Sequence, residues 1–113
     1  MSEVPLPDLL DIEDLDLRNE FTEILAKGDN IRIERIVSKG HASQDGFWYD
    51  QDQAEWIVVV QGSAELEFAS PQRKVTLLPL EHLLIPAHCR HRVVWTSTST
   101  ETIWLAVFFD ATN

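Results

Sequence analysis

The residue order predicts an all-β protein, an antiparallel sandwich or barrel. Three observations predict it. From Asn30 onward apolar residues recur with a period near two, as in Ile31, Ile33, Val37 and in Ala64, Leu66, Phe68. Turn residues interrupt this pattern at roughly eight- to twelve-residue spacing, enough for about seven or eight short strands with no helix between them. Two segments, Glu55–Val60 and Thr102–Phe109, are apolar on both faces, as strands covered on both sides are.

The elements follow in order. Residues 2–13 carry Pro5 and Pro7 and alternate leucines with acids, which fits either an extended arm lying on the domain through Leu6, Leu9, Leu10 and Ile12 or a partly ordered tail. Residues 16–27 predict a short helix. Asp16 stands at its N-cap, Leu17, Phe21, Ile24 and Leu25 make one stripe, and Lys27-Gly28 ends it. A helix with a single apolar stripe packs on something else, so it is expected to cover one side of a sheet. Strands then follow at Ile31–Ser38, Glu55–Val60, Ser63–Phe68, Lys74–Leu78, His82–Pro86, Arg90–Thr96 and Glu101–Phe109. This divides the chain into an arm and helix over 1–29 and a barrel over 30–113, one structural domain in all. The helix covers only part of the doubly apolar strands, and a homodimer interface is expected to cover the remainder.

Bulk properties narrow the partners. A chain of 113 residues supports one modest core. Its net charge of −10 argues against non-specific nucleic-acid binding, which needs clustered Lys and Arg. A single cysteine, Cys89, excludes an internal disulfide and fits a reducing compartment. The acidic N-terminus lacks the basic start of a targeting peptide, and no apolar run reaches the ~20 residues of a membrane helix. The expectation is a cytoplasmic protein without membrane contact. Phosphate loops, Cys-x-x-Cys pairs and nucleophile elbows are absent from the sequence.

Strand parity points to a site. Glu55 shares a face with Ile57 and Val59, and His91 shares one with Val93 and Trp95. A carboxylate and an imidazole can thus project from two strands into one cavity. A buried carboxylate must be paired, hydrogen-bonded or metal-bound.

These residues resemble the cupins, a family with a double-stranded β-helix (jelly-roll) barrel and two motifs. Glu55-x6-Gly62 matches the end of the first motif, G-x5-H-x-H-x3,4-E-x6-G, and Gly40 stands at its opening. Pro86-x4-His91 matches the centre of the second, G-x5-P-x-G-x2-H-x3-N. The likeness runs from about Ile31 to Phe109 and is greatest to small single-domain cupins with an N-terminal helix. It implies a divalent metal (Zn, Fe, Mn or Ni) or a small organic ligand inside the barrel. The activities it implies are of dioxygenase or isomerase type, or metal-free binding of a sugar or other small molecule.

The departures are as specific as the matches. The first motif's histidines are replaced by Trp48 and Asp50, or by Tyr49 and Gln51 at the shorter spacing. In the second motif Leu80 and His88 replace the glycines, and Trp95 stands at the final Asn. Only Glu55 and His91 carry over. Asp50 and His88 are candidate substitute ligands beside them, and Trp48, Tyr49 and Trp95 are candidate walls of a ligand pocket. Each also has a plainer reading: His88 as a residue that hydrogen-bonds a loop carbonyl, the site with Asp50 as a cavity without metal that binds an organic ligand or nothing, and the aromatics as core. His41 and His82 read as surface or backbone-bonded histidines. Arg90 and Arg92 read as partners of surface carboxylates or as rim contacts for an anionic ligand, and Cys89 as a small buried residue.

Overall fold

The computed structural model describes residues 5–112, which form eight strands and no helix. These are β1 (Phe21–Gly28), β2 (Ile31–Ser38), β3 (Ala54–Gln61), β4 (Ala64–Ala69), β5 (Gln72–Leu77), β6 (His82–Ile85), β7 (His91–Thr96) and β8 (Thr102–Phe109). Residues 2–4 of the expected arm, and residue 113, lie outside the described part. Among the described residues no helix is long and apolar enough to cross a membrane.

The short helix predicted over 16–27 is corrected to an edge strand. β1 pairs antiparallel with β2 from Phe21↔Val37 to Gly28↔Ile31, and Asp29-Asn30 makes the two-residue turn with Asn30 at φ 59°. Asn accepts the left-handed region that such hairpin turns require. The stripe of Phe21, Ile24 and Leu25 imitated a helical period because a β-bulge interrupts the pairing between Ile24 and Ala26. The extra residue breaks strand alternation. Asp16 caps no helix. Its carboxylate accepts hydrogen bonds from the Arg18 backbone N–H and guanidinium instead.

The strands pair into two separate antiparallel sheets rather than one continuous barrel ladder. The larger has the order β1-β2-β8-β3-β6, and the smaller β5-β4-β7. Their facing sides make the core. Ile57, Val59, Trp104, Ala106 and Phe108 from the larger sheet meet Ala64, Leu66, Phe68 and Leu77 from the smaller. The long strands β3 and β8 pair with each other and carry much of this apolar surface.

The outer side of the larger sheet is covered in part. Val37 and Ile103 are fully buried there, Trp56, Val58, Leu105 and Val107 are half-buried, and Leu84 is 53% exposed. Arg35 ties the arm to this side. Its Nη1 donates to the carbonyls of Leu9 (3.2 Å) and Asp11 (2.6 Å), while its Nε lies 2.6 Å from Glu23 Oε1. Leu9 and Ile12 are half-covered, but Leu6 is 88% and Leu10 52% exposed. Hydrogen bonds to backbone hold the arm as much as leucine packing does.

The turn from β3 to β4 depends on Gly62, which has φ +85°. A Cβ there would stand 2.5 Å from Thr102 Oγ1 and 2.7 Å from the Glu101 carbonyl. Gly46 has a similar φ of +81° but nothing within 4 Å of its missing Cβ. Gly46→Ala should therefore show only the left-handed penalty, about 1–2 kcal/mol. Gly62→Ala adds a backbone collision and should lose at least about 2 kcal/mol more than Gly46→Ala. Urea unfolding of the two variants checks the difference, and equal losses would show that the close approach is unimportant.

Candidate functional site

A cavity of about 230 Å³ opens between the sheets. Its apolar floor is Ile57, Leu66, Ile85, Val93 and Phe108. Glu55 and His91 enter it from opposite sheets. Glu55 sits on the central strand β3, paired with Phe108 on one side and Ile85 on the other. His91 opens β7 and pairs with Phe68. The residues are 8% and 4% exposed, and His91 Nε2 lies 3.5 Å from Glu55 Oε1.

His91 is oriented by its other nitrogen, which lies 2.8 Å from the Cys89 carbonyl; an Nδ1–H donating there leaves Nε2 to face Glu55. Such a bond fixes the ring and its tautomer. Its position is set by a backbone bridge to the loop before β3. Tyr49 N donates to His91 O (2.7 Å), and His91 N donates to Tyr49 O (3.2 Å). The bridge also stacks the two rings, with centroids 5.4 Å apart. Gln51 follows on the same side of the loop, and its carbonyl accepts from His88 N at 2.8 Å. Tyr49 and Gln51 both line the cavity. They are the pair that the shorter motif spacing puts in place of the two histidines.

The remaining predicted residues lie elsewhere. Asp50 points the other way, and its Oδ1 meets His88 Nδ1 at 2.8 Å, with Asp52 Oδ1 3.5 Å from His88 Nε2. The Asp50 and His88 side chains are 50% and 62% exposed, so they form a surface pair apart from Glu55 and His91. Trp48 also stands outside the cavity, with the guanidiniums of Arg90 and Arg92 at 5.5 and 5.7 Å from its ring. Trp95 is 45% exposed. The expected parity of His91, Val93 and Trp95 breaks at a bulge, where Leu66 pairs with Val93 but Glu65 pairs with Trp95. Val94 is the extra residue, and beyond it Trp95 turns out and Thr96 turns in. His41 Nδ1 accepts from Lys39 N, and His82 lies beside Trp56 on the outer side.

Sequence reasoning missed the polar wall of the cavity. The charged side of β2, Arg32 and Glu34 with Ile36, faces inward, and the apolar side of Ile33 and Val37 faces out. Arg32 pairs with Glu34 two residues on and lies 4.0 Å over the Phe108 ring. Glu20 and Thr22, within the segment read as a helix, stand at the mouth. Trp104 Nε1 donates to Ser38 Oγ (3.3 Å), which donates to Glu20 Oε2 (2.6 Å). An Arg and a Glu on one face of a strand that is covered on both sides was the available signal, because they can neutralise each other inside.

Two protonation states follow from this setting. Burial, with the Glu20 and Glu55 carboxylates, raises the Tyr49 phenol above its ordinary value, so it remains a donor at neutral pH. Burial pulls the His91 imidazole down, but the Glu55 carboxylate and the Cys89 carbonyl outweigh it and raise the imidazole overall. Folded His91 therefore holds its proton more tightly than the unfolded chain does. The resulting stabilisation is complete below the unfolded value, near about pH 6.5, and is lost as pH rises through the higher folded value. The melting temperature of the wild type relative to His91→Gln should fall as pH rises from about 5.5 to 9. A difference that grows with pH would contradict the assignment.

Two residues of the family's metal set are present, and the donor set does not fit a resident transition metal. Beside Glu55 and His91 the two further positions hold a phenol kept protonated and a neutral amide. Among the described residues no three His, Cys, Asp or Glu side chains group in a way that could hold a metal ion. Zinc-type centres use three or four such ligands.

No family model matches the chain, and no curated protein does. Solved structures do. The chain is similar to a Ralstonia eutropha JMP134 protein described as a "putative mannose-6-phosphate isomerase". The identity is 41% and the TM-score 0.88, over 96% of this chain and 100% of that one. A cupin superfamily protein from Desulfitobacterium hafniense DCB-2 matches with 21% identity and TM-score 0.75, over 98% and 94% of the two chains. A cupin 2 conserved barrel domain protein from Leptotrichia buccalis shares the fold at 12% identity and TM-score 0.69, over 86% of this chain and 44% of that one. With two antiparallel sheets, a Glu55–His91 pair between them and these likenesses, the chain has the cupin fold and is a relative of the Ralstonia protein.

Proposed function

We propose that the protein binds a small polar organic molecule in the cavity between its sheets, without a resident metal, using Glu55, His91 and Tyr49 as its polar anchors. One observation carries the reading. Glu55 is 8% exposed, yet its one polar contact among the described residues is His91 Nε2, at a long 3.5 Å from Oε1, and Oε2 has none. A carboxylate buried this way is costly unless something completes its hydrogen bonding. Glu55 lines the cavity, within reach of a guest there. A volume near 230 Å³ corresponds to roughly seven or eight waters, or a small organic molecule of similar size. The half-buried outer side of β3 and β8 supports a homodimer as the assembled form.

A second reading is favoured by the 41% identical Ralstonia protein and its description as an isomerase. Here Glu55 would take a proton from the carbon beside a carbonyl and return it to the carbonyl carbon. His91 and Tyr49 would exchange protons with the two oxygens. A carboxylate with an imidazole and a protonated phenol has the groups for such transfer.

Elemental analysis and amide-resolved NMR with a small-fragment set test the first reading. We expect no stoichiometric transition metal, and fragment-induced shifts at Tyr49, Gln51, His91 and the Trp104 indole that vanish in Glu55→Ala/His91→Ala. A near-stoichiometric metal lost in the double variant would overturn the metal-free reading. For the isomerase reading, mannose 6-phosphate in D2O should yield the ketose phosphate carrying solvent deuterium, and Glu55→Gln should slow it about a hundredfold or more. Absence of both conversion and exchange removes that reading.

A further inference from the structure

The charge of the cavity goes further than its volume. Three carboxylates line it, Glu20, Glu34 and Glu55, against one permanently cationic side chain, Arg32. Arg32 is already committed: its guanidinium pairs with Glu34 and lies over the Phe108 ring at 4.0 Å. His91 turns its free nitrogen toward Glu55. An anionic group entering the cavity would therefore meet no unengaged cation and two carboxylates. An entering cation would meet Glu20 at the mouth, held in place by Ser38, and then Glu55, whose one polar contact is the long one from Oε1 to His91.

The wall also shows which cation chemistry it suits. Arg32 is a cation received there by a carboxylate and an aromatic face. A carboxylate and an aromatic ring also meet at Glu55, which faces His91 at 3.5 Å, and the Tyr49 ring stacks on that imidazole. Aromatic faces beside a carboxylate, with water largely excluded, attract ammonium groups.

We propose that the molecule bound in this cavity carries an ammonium group, which Glu55 receives in the interior while Glu20 guards the entrance. The inference rests on the cavity-binding reading above and adds the class of ligand. It favours the binding reading over the isomerase reading of the same cavity. A hexose phosphate is a dianion, and its phosphate would find no free cation among the lining residues.

The test uses three probes of nearly equal size and different charge: 3-aminopropanol, 1,3-propanediol and 3-hydroxypropanoate. Mannose 6-phosphate is a fourth. Each is titrated into the full chain and followed by NMR shifts of Tyr49, Gln51, His91 and the Trp104 indole. The aminopropanol should bind at least about tenfold more tightly than the diol, and both anions more weakly still. Glu55→Gln, which keeps the shape, should weaken the aminopropanol by a clearly larger factor than the diol and so remove most of the amine preference. Glu20→Gln, at the exposed mouth, should reduce the preference by a smaller factor and serves as a second variant if Glu55→Gln does not fold. Tighter binding of the diol or of either anion at these same signals would overturn the cation inference and leave the cavity-binding reading intact. An absence of cavity shifts with all four probes at millimolar concentration would overturn both.

Discussion

A carboxylate on a central strand, buried and facing an imidazole across the gap between two sheets, is the constraint on which the rest of the site depends. Glu55 cannot leave the interior, because its strand is hydrogen-bonded on both sides, to β8 and to β6. His91 cannot leave it either, because its backbone is tied to Tyr49 and its ring nitrogen to the Cys89 carbonyl. The two sheets thus hold a polar pair in an otherwise apolar layer of Ile57, Leu66, Ile85 and Phe108. The low polarity around such a pair strengthens any charge interaction made there, and makes an unmet one expensive.

The loop before β3 converts this pair into a shaped site. One two-way backbone bridge between Tyr49 and His91 brings in a phenol stacked on the imidazole and, two residues on, an amide. The same alternation sends Trp48 and Asp50 outward, to the Arg90 and Arg92 guanidiniums and to His88. One loop therefore supplies both a wall of the cavity and a clasp on the surface. The two metal-type positions it fills with Tyr49 and Gln51 donate hydrogen bonds more readily than they ligate metals. That agrees with a cavity suited to an organic guest.

The β2 strand supplies the other half of the electrostatics. Its charged side lies inside because its apolar side packs outward against Ile103, Leu105 and the arm fastened by Arg35. Arg32 and Glu34 neutralise each other there, so the interior tolerates them, and the surplus charge belongs to Glu55 and Glu20. The cavity is consequently acidic for a local reason, independent of the net charge of −10 on the whole chain.

Local sequence pattern by itself determined the all-β class, the strands β2 to β8, and the meeting of Glu55 with His91. Those features follow from a period of two and from burial of apolar faces, which nearest neighbours along the chain already encode. Tertiary structure alone decided the rest. The segment Phe21–Gly28 is a strand because β2 offers it an unpaired edge and Asp29-Asn30 turns it back, and no stripe count can weigh that pairing. Trp95 leaves the cavity because the bulge at Val94 shifts parity by one residue, and a single inserted residue reverses every side chain beyond it. Arg32, Glu34 and Glu20 join the site because the outer side of the sheet finds its own cover. Which face of a doubly covered strand turns inward depends on what packs on the other, and that is settled between elements, not within one.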